Sequence, residues 1–172
     1  MARETERKFL VDKRKWNASS QGIRIAQGIR IAQGYLCTVP DRIVRVRRKG
    51  GHGYLTVKGK NEGISREEFE YEIPVRDADA MLRFCEQPII EKVRYMEMIG
   101  GKAWEVDVFE GENEGLVIAE IELGSEEESF ELPVWAGREV SQDTRFSNAS
   151  LVQNPYRNWK GELLGMDGDK TH

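Results

Sequence analysis

The chain has 172 residues, enough for one domain with a packed core, and 33% of them are charged against 39% hydrophobic. A net charge of −4 argues against duplex nucleic-acid binding, and no apolar run approaches the roughly 20 residues of a membrane span. The N-terminus lacks the apolar core of a secretory signal, and Cys37 and Cys85 lack metal-ligand spacing, so we expect reduced thiols in a cytoplasmic protein.

The first predicted element is a strand at residues 3–11, which carries the pattern Glu-x-Glu-x-Lys at Glu4, Glu6 and Lys8. Side chains alternate between the two faces of a strand, so these three share a face. Two carboxylates two residues apart can hold a hard divalent cation, and the lysine can meet an anion that the cation also meets. Alternating charge is also typical of a solvated sheet face, so the pattern becomes informative only if later strands repeat it.

A tandem duplication comes next in the chain. Residues 22–27 have the sequence Gly-Ile-Arg-Ile-Ala-Gln, and residues 28–33 repeat it without change. The isoleucine content and the alternation predict a strand, and because six is an even number both copies place isoleucine on the same face. We therefore hypothesise that either copy can occupy the strand, while the other extends it or loops out.

The rest of the chain predicts six more strands, joined mostly by turns, and two helices. The strands are expected at residues 42–49, 54–60, 66–74, 89–98, 104–108 and 116–123. The helices are expected at 77–85 and 147–153, with a short helical turn at 135–140. We divide the chain into one domain at residues 1–155 and a C-terminal extension at residues 156–172, which we expect to be flexible.

Eight strands joined by turns predict an antiparallel sheet or barrel. One face of these strands is almost entirely charged, with acidic and basic residues segregated by strand. The acidic residues are Glu4, Glu6, Glu68, Glu70, Glu105, Asp107, Glu120 and Glu122, and the basic ones are Lys8, Arg45, Arg47, Lys58, Lys92 and Arg94. Alternation is the same for the solvated face of a sandwich and for the lumen of a barrel, so the pattern leaves both open. A lumen lined in this way would bind a polyanion together with divalent cations.

The motifs, taken in order, resemble the CYTH superfamily, the triphosphate tunnel metalloenzymes. The resemblance runs from residue 3 to about residue 150. Its further parts are Gln-Gly-Tyr-Leu at 33–36, Arg-x-Arg at 45–47, Thr-Val-Lys at 56–58, Ser-Arg-x-Glu-x-Glu at 65–70, Glu-Lys-x-Arg-Tyr at 91–95, Glu-Val-Asp-Val-Phe at 105–109, Ala-Glu-Ile-Glu at 119–122 and Asp-x-Arg-Phe at 143–146. It implies a mainly β (α+β) fold, an eight-stranded antiparallel β-barrel that forms a triphosphate tunnel with a few flanking helices, as in small bacterial single-domain members.

The resemblance implies a metal-dependent hydrolase of triphosphate-containing substrates, with inorganic tripolyphosphate as the first candidate and water attacking the terminal phosphoryl group. Adenylate cyclase, a nucleoside or thiamine triphosphatase, and a non-catalytic polyphosphate-binding module stay open as alternatives. The expected partner is a small polyanionic substrate, with neither duplex nucleic acid nor a membrane, and a homodimer stays open.

The resemblance also implies roles for particular residues. The substrate phosphates would be bound by Lys8, Arg45, Arg47, Lys58, Arg94 and Arg145. The metal, Mg²⁺ or Mn²⁺, would be held by Glu4, Glu6, Glu68, Glu70, Asp107, Glu120 and Glu122. The catalytic pair that activates water would be Lys92 and Tyr35, and a lysine crowded by other cations would have the lowered pKa that suits a base.

Overall fold

The computed structural model describes residues 3–18, 23–24 and 28–167, which contain ten strands and four α-helices. The strands are β1 (Arg3–Val11), β2 (Ile23–Arg24), β3 (Ile29–Cys37), β4 (Arg42–Lys49), β5 (His52–Gly59), β6 (Ser65–Ile73), β7 (Ile90–Ile99), β8 (Lys102–Phe109), β9 (Val117–Glu122) and β10 (Ala136–Glu139). The helices are α1 (Lys13–Ala18), α2 (Val75–Leu82), α3 (Asn148–Gln153) and α4 (Lys160–Asp167). Within these ranges, no helix is both long and apolar enough to cross a membrane.

Eight of the strands close into an antiparallel barrel in the order β1-β6-β5-β4-β3-β7-β8-β9, and β9 pairs again with β1. The closing ladder runs from Glu6 opposite Glu122 to Leu10 opposite Ile118. Strands β2 and β10 lie outside this ring, on β7 and β1 respectively. The predicted eight-stranded barrel is therefore confirmed, and the charged face is its lumen rather than the outside of a sandwich.

Because charge fills much of the lumen, most of the apolar core lies outside the barrel wall and across one end of it. One cluster joins Phe9, Trp104 and Trp135 on the outer face of β1, β8 and β9. A second lies between α2 and β4, where Ala78 packs near Val46. The third is formed by the C-terminal segment against the ends of the barrel strands, and it includes Leu10, Ile90, Phe109, Ile118, Phe146, Leu151, Trp159 and Leu163.

The last of these clusters contains residues of the expected C-terminal extension. Tyr156, Trp159 and Leu163 are buried, and the Trp159 ring packs 5.2 Å from that of Phe146. Residues 156–163 are thus part of the packed core rather than a flexible extension, because three large apolar side chains have a barrel end to cover. Residues 168–172 of the extension lie outside the described residues.

The predicted helical turn at residues 135–140 is wrong. Ala136–Glu139 is strand β10, in which Ala136 lies opposite Val11 and Glu139 opposite Phe9. The fully buried Trp135, whose ring centroid is 5.8 Å from that of Trp104, holds the segment against the edge of β1. Tertiary packing rather than local propensity therefore decides its conformation.

The two copies of the duplicated hexapeptide take different places. The second copy supplies the start of β3 within the ring, with Ile29 opposite Arg94. Part of the first copy continues alongside β7 as strand β2, with Ile23 opposite Met98. Residues 22 and 25–27 lie outside the described residues, and the hypothesis that either copy can fill the strand stays a prediction.

Candidate active site

The barrel encloses a cavity of about 630 Å³, whose lining combines side chains of the charged strand face with residues of the loops and of α3. Of the residues expected to form the site, those on its lining are Glu4, Glu6, Lys8, Tyr35, Arg45, Arg47, Lys58, Glu68, Glu70, Lys92, Arg94, Glu120 and Glu122. Strand alternation brings them inward, and the closed ring makes the inward faces of eight strands converge. Lys49, Glu105 and Asn148 also line the cavity and were not among the expected site residues.

The charges of the lumen fall into two contiguous walls. In the order of strands around the ring, the carboxylates of Glu105, Glu120, Glu122, Glu4, Glu6, Glu68 and Glu70 come from the neighbouring strands β8, β9, β1 and β6. The cations of Lys58, Arg45, Arg47, Lys92 and Arg94 come from β5, β4 and β7 on the other side, where β3 supplies Gln33 and Tyr35. We call these the acidic wall and the basic wall. Lys8 and Arg66 are exceptions, because they line the cavity from β1 and β6 in the acidic wall.

Like charges meet directly on the acidic wall. Glu6 lies opposite Glu122, and Glu105 lies opposite Glu120, in neighbouring strands. Like charges at facing positions destabilise a sheet. Burial, followed by the nearby charge of Glu6, raises the pKa of Glu120, and burial together with Glu4 raises that of Glu122. These are oxygen donors of the type that Mg²⁺ and Mn²⁺ prefer, and a bound cation would relieve the repulsion.

The carboxylates are held by lysines rather than gathered around one point. Lys58 Nζ lies 3.2 Å from Glu4 and 3.3 Å from Glu68, and Lys8 Nζ lies 3.8 Å from Glu120. Burial alone would lower the pKa of Lys8, but the surrounding glutamates, Glu120 foremost, raise it above its usual value. In the part of the chain that the structure describes, no three acidic, histidine or cysteine side chains converge into a preformed metal site. The donor types therefore fit a divalent cation, provided that carboxylates leave their lysine partners.

The arginines of the basic wall have bonding capacity left for an anion. The Arg45 guanidinium donates to Thr56 Oγ1 at 3.2 Å and lies 3.7 Å from Glu70, yet its buried Nε lacks a hydrogen-bond partner within the described residues. Burial lowers the pKa of Arg47 to about 10, and the neighbouring Arg45 adds to this shift. An anion between these arginines would satisfy the donor and stabilise both charges.

Asp107, an expected metal ligand, has both carboxylate oxygens bound to cations. Its Oδ1 accepts from Arg94 Nε at 2.7 Å, and its Oδ2 lies 2.7 Å from Lys92 Nζ. Burial would raise the pKa of Asp107, but Arg94 and Lys92 lower it well below the usual range. Asp107 is almost fully buried behind these two cations and is their counter-ion in this structure, and its expected role as a metal ligand stays a prediction.

Lys92 and Tyr35, the expected catalytic pair, both line the cavity, but two amide side chains lie between them. Lys92 Nζ donates to Asn148 Oδ1 at 3.0 Å, and Gln33 Nε2 lies 3.0 Å from that same oxygen and 3.2 Å from the Tyr35 hydroxyl. Burial lowers the pKa of Lys92 to about 8; Asp107 opposes this shift, and Arg94 and Arg47 add to it.

The structure does not bring Arg145, an expected phosphate ligand, onto the cavity lining. Its guanidinium donates to Asp143 Oδ2 at 2.7 Å and lies 4.9 Å from the ring centroid of Trp159. Both contacts hold Arg145 at the end of the barrel, beside the C-terminal cluster. The Asp-x-Arg-Phe motif could not indicate whether Arg145 reaches the lumen, because that segment is not part of a barrel strand and has no alternation to assign a face.

Comparisons with known proteins agree with this geometry. The CYTH domain model matches residues 2–156. A curated inorganic triphosphatase of Acetivibrio thermocellus is 50% identical over 161 residues, which covers 93% of this chain and 99% of that protein. An inorganic triphosphatase of Nitrosomonas europaea is 35% identical over 122 residues, or 69% of this chain and 80% of that protein.

The barrel also has a counterpart among solved structures. The crystal structure of the inorganic triphosphatase NE1496 superimposes with a TM-score of 0.61 at 31% identity, covering 87% of this chain and 93% of that one. The family model spans most of the chain, and the similar proteins are matched over most of their lengths. The chain therefore belongs to the CYTH domain family.

Proposed function

We propose that this protein hydrolyses inorganic triphosphate inside the barrel, with Mg²⁺ or Mn²⁺ as the cofactor. The observation that carries the proposal is the division of one closed lumen into an acidic and a basic wall. A triphosphate is a compact polyanion that needs cationic side chains on one side and a bridging divalent cation on the other. The names of the similar proteins from Acetivibrio thermocellus and Nitrosomonas europaea support the same substrate.

In this proposal the basic wall binds and orients the phosphates. Arg45 and Arg47 can each meet phosphate oxygens with two donors, while Arg94, whose three nitrogens donate to Asp107 and Glu105, contributes its charge and its remaining N–H groups. Lys58 and Lys8 act as point charges. The carboxylates of Glu4, Glu6, Glu68, Glu70, Glu120 and Glu122 hold the cation, which when bound neutralises phosphate charge and lowers the pKa of a bound water.

Lys92 is the base in this proposal. With a pKa of about 8, its amine is neutral in a substantial fraction of molecules at mildly alkaline pH and can accept a proton from the attacking water. Asp107 and Asn148 each accept from Lys92 Nζ and therefore fix the position of the nitrogen.

The test is phosphate release from tripolyphosphate and from ATP, with Mg²⁺, with Mn²⁺ and with a chelator. We expect metal-dependent release that prefers tripolyphosphate. The Glu4→Gln/Glu6→Gln variant should lower kcat about 100-fold or more, since it removes donors for the cation. Glu67→Gln, on the same strand as Glu68 but exposed on the outer face, is the matched control and should leave the rate unchanged.

Other outcomes identify the alternatives. Tripolyphosphate binding without release would indicate a polyphosphate-binding module. A preference for ATP would indicate a nucleoside triphosphatase, and formation of cyclic AMP a cyclase. We place the reaction in the cytoplasm, which suits the free thiols of Cys37 and Cys85.

A further inference from the structure

A glutamine in the wall of the lumen connects residues of the site that do not contact one another. Gln33 on β3 is fully buried, and its side-chain amide has three polar neighbours. Gln33 Oε1 accepts from Arg47 Nε at 2.9 Å. Gln33 Nε2 donates to Asn148 Oδ1 at 3.0 Å and lies 3.2 Å from the Tyr35 hydroxyl. Lys92 Nζ reaches the same Asn148 oxygen at 3.0 Å.

The direction of every bond in this network is determined by its two ends. An arginine side chain only donates, so Arg47 requires the Gln33 oxygen at the observed contact, and the Gln33 NH₂ group then requires the Asn148 oxygen. Neither amide can be turned over without placing its NH₂ group against another N–H donor. The Gln33 NH₂ group must therefore face both Asn148 and Tyr35 as a donor.

This assignment determines the hydrogen-bonding role of the Tyr35 hydroxyl. Its hydroxyl oxygen accepts from Gln33, so the hydroxyl hydrogen has to point elsewhere. Tyr35 lines the cavity, and among the described residues its hydroxyl makes no other hydrogen bond. The hydroxyl hydrogen is therefore available to donate into the lumen, next to Arg45, which lies opposite Tyr35 in the β3–β4 ladder.

We propose that Gln33 is a positioning residue that turns Tyr35 into a hydrogen-bond donor to a phosphoryl oxygen of bound triphosphate and holds Arg47 and the Lys92–Asn148 pair in place. This role rests on the proposed triphosphatase function. Tyr35 then contacts the substrate as a donor, while Lys92 alone takes the proton of the water. A donor that is held in advance stabilises charge developing in the transition state more than one that must reorient.

The duplicated hexapeptide supplies a matched control. Gln27 ends the first copy as Gln33 ends the second, so the two glutamines have identical neighbours over the five preceding residues. Gln33→Leu removes the amide at nearly constant volume, and Gln33→Glu keeps the acceptor for Arg47 but removes both donors. Gln27→Leu makes the same chemical change outside the described network.

The experiment is steady-state hydrolysis of tripolyphosphate by the full chain with Mg²⁺ and with Mn²⁺. We expect Gln33→Leu and Gln33→Glu each to lower kcat about 10- to 100-fold, with KM changed less than about threefold. Gln27→Leu should match the unchanged protein. The Gln27→Leu/Gln33→Leu double variant should equal Gln33→Leu, which excludes rescue by a six-residue slip of the strand.

Coupling to Tyr35 separates positioning from a merely structural role. Tyr35→Phe should lower kcat by a similar factor, and the Tyr35→Phe/Gln33→Leu double variant should lose less than about threefold beyond either single variant. Gln33 variants with unaltered kcat, or losses that multiply in the double variant, would overturn the proposal even where the unchanged protein is active. No phosphate release by the unchanged protein would overturn the triphosphatase function itself. Should Gln33→Leu fail to fold, Gln33→Glu, which can still pair with Arg47, decides the outcome.

Discussion

Single residues show where sequence reasoning succeeds and where it stops. Alternation along the strands placed Glu6, Lys58 and Arg94 in the lumen, because alternating side chains have only two faces to choose between. It could not assign depth. Asp107 is on the same face of β8 as Glu105, but its side chain is almost fully buried, and Arg94 and Lys92 bind both of its oxygens. Asn148 lies after the barrel strands on a separate helix, and no strand pattern indicates it.

Replacing Asp107 tests its role as a counter-ion. Asp107→Asn leaves Arg94 and Lys92 buried without their compensating charge, so we expect a loss of about 3–5 kcal/mol in the free energy of unfolding. Urea denaturation measures this loss. Mg²⁺ affinity, measured by calorimetry on the folded variant, should stay within about twofold of the unchanged protein. Lost metal binding at unaltered stability would instead restore Asp107 as a ligand.

The pH dependence of kcat/KM tests Lys92 as the base. The folded pKa of Lys92 is lowered to about 8 from 10.5, so its neutral, proton-accepting form is scarce below pH 8 and predominates above it. We therefore expect kcat/KM, which reports the free enzyme, to rise about tenfold per pH unit up to roughly pH 8 and then to level off. Lys92→Gln should remove this inflection together with most of the activity. An inflection retained in that variant would belong to another group.

Secondary-structure elements were predictable where they carry their own signal. The eight barrel strands have clear alternation, and helix α3 begins where Ser147 accepts a hydrogen bond from the Ser150 amide, as expected of an N-cap. Strand β10 has no such signal in Ala-Gly-Arg-Glu, and its conformation is imposed by β1. The hexapeptide duplication carries a further prediction about a single element, namely that either copy can fill β3. Two sets of backbone amide signals for residues 29–33 would confirm it.

Trp135 is expected to hold β10 in place. It is fully buried beside Trp104, so Trp135→Ala should lower the free energy of unfolding by about 3–5 kcal/mol through the cavity it leaves. Leu132→Ala, a truncation at an exposed site three residues away, should change stability by less than about 0.5 kcal/mol. Thermal and urea unfolding of both variants provide the comparison. Equal effects of the two substitutions would show that β10 is not anchored by the tryptophan.

The whole barrel couples the two ligands that the walls are proposed to bind. Lys58 is shared by Glu4 and Glu68 across the strands, so a phosphate that takes Lys58 frees carboxylates, and a cation that takes the carboxylates frees Lys58. We expect Mg²⁺ to tighten tripolyphosphate binding about 5- to 150-fold, and tripolyphosphate to tighten Mg²⁺ binding by the same factor. Calorimetric titrations under conditions of negligible turnover measure both. Independent binding of the two would contradict the coupling.

The same ion pairs also affect the release of product. Within the described lumen, the carboxylates that pair with Lys58, Lys8 and Arg45 are internal anions that compete with any phosphate for these cations. The two products, orthophosphate and pyrophosphate, each carry less charge than the triphosphate from which they come, so each competes less well. The carboxylates of the acidic wall can therefore re-form their ion pairs with Lys58, Lys8 and Arg45 once the phosphoanhydride bond is broken. These ion pairs favour release of the products.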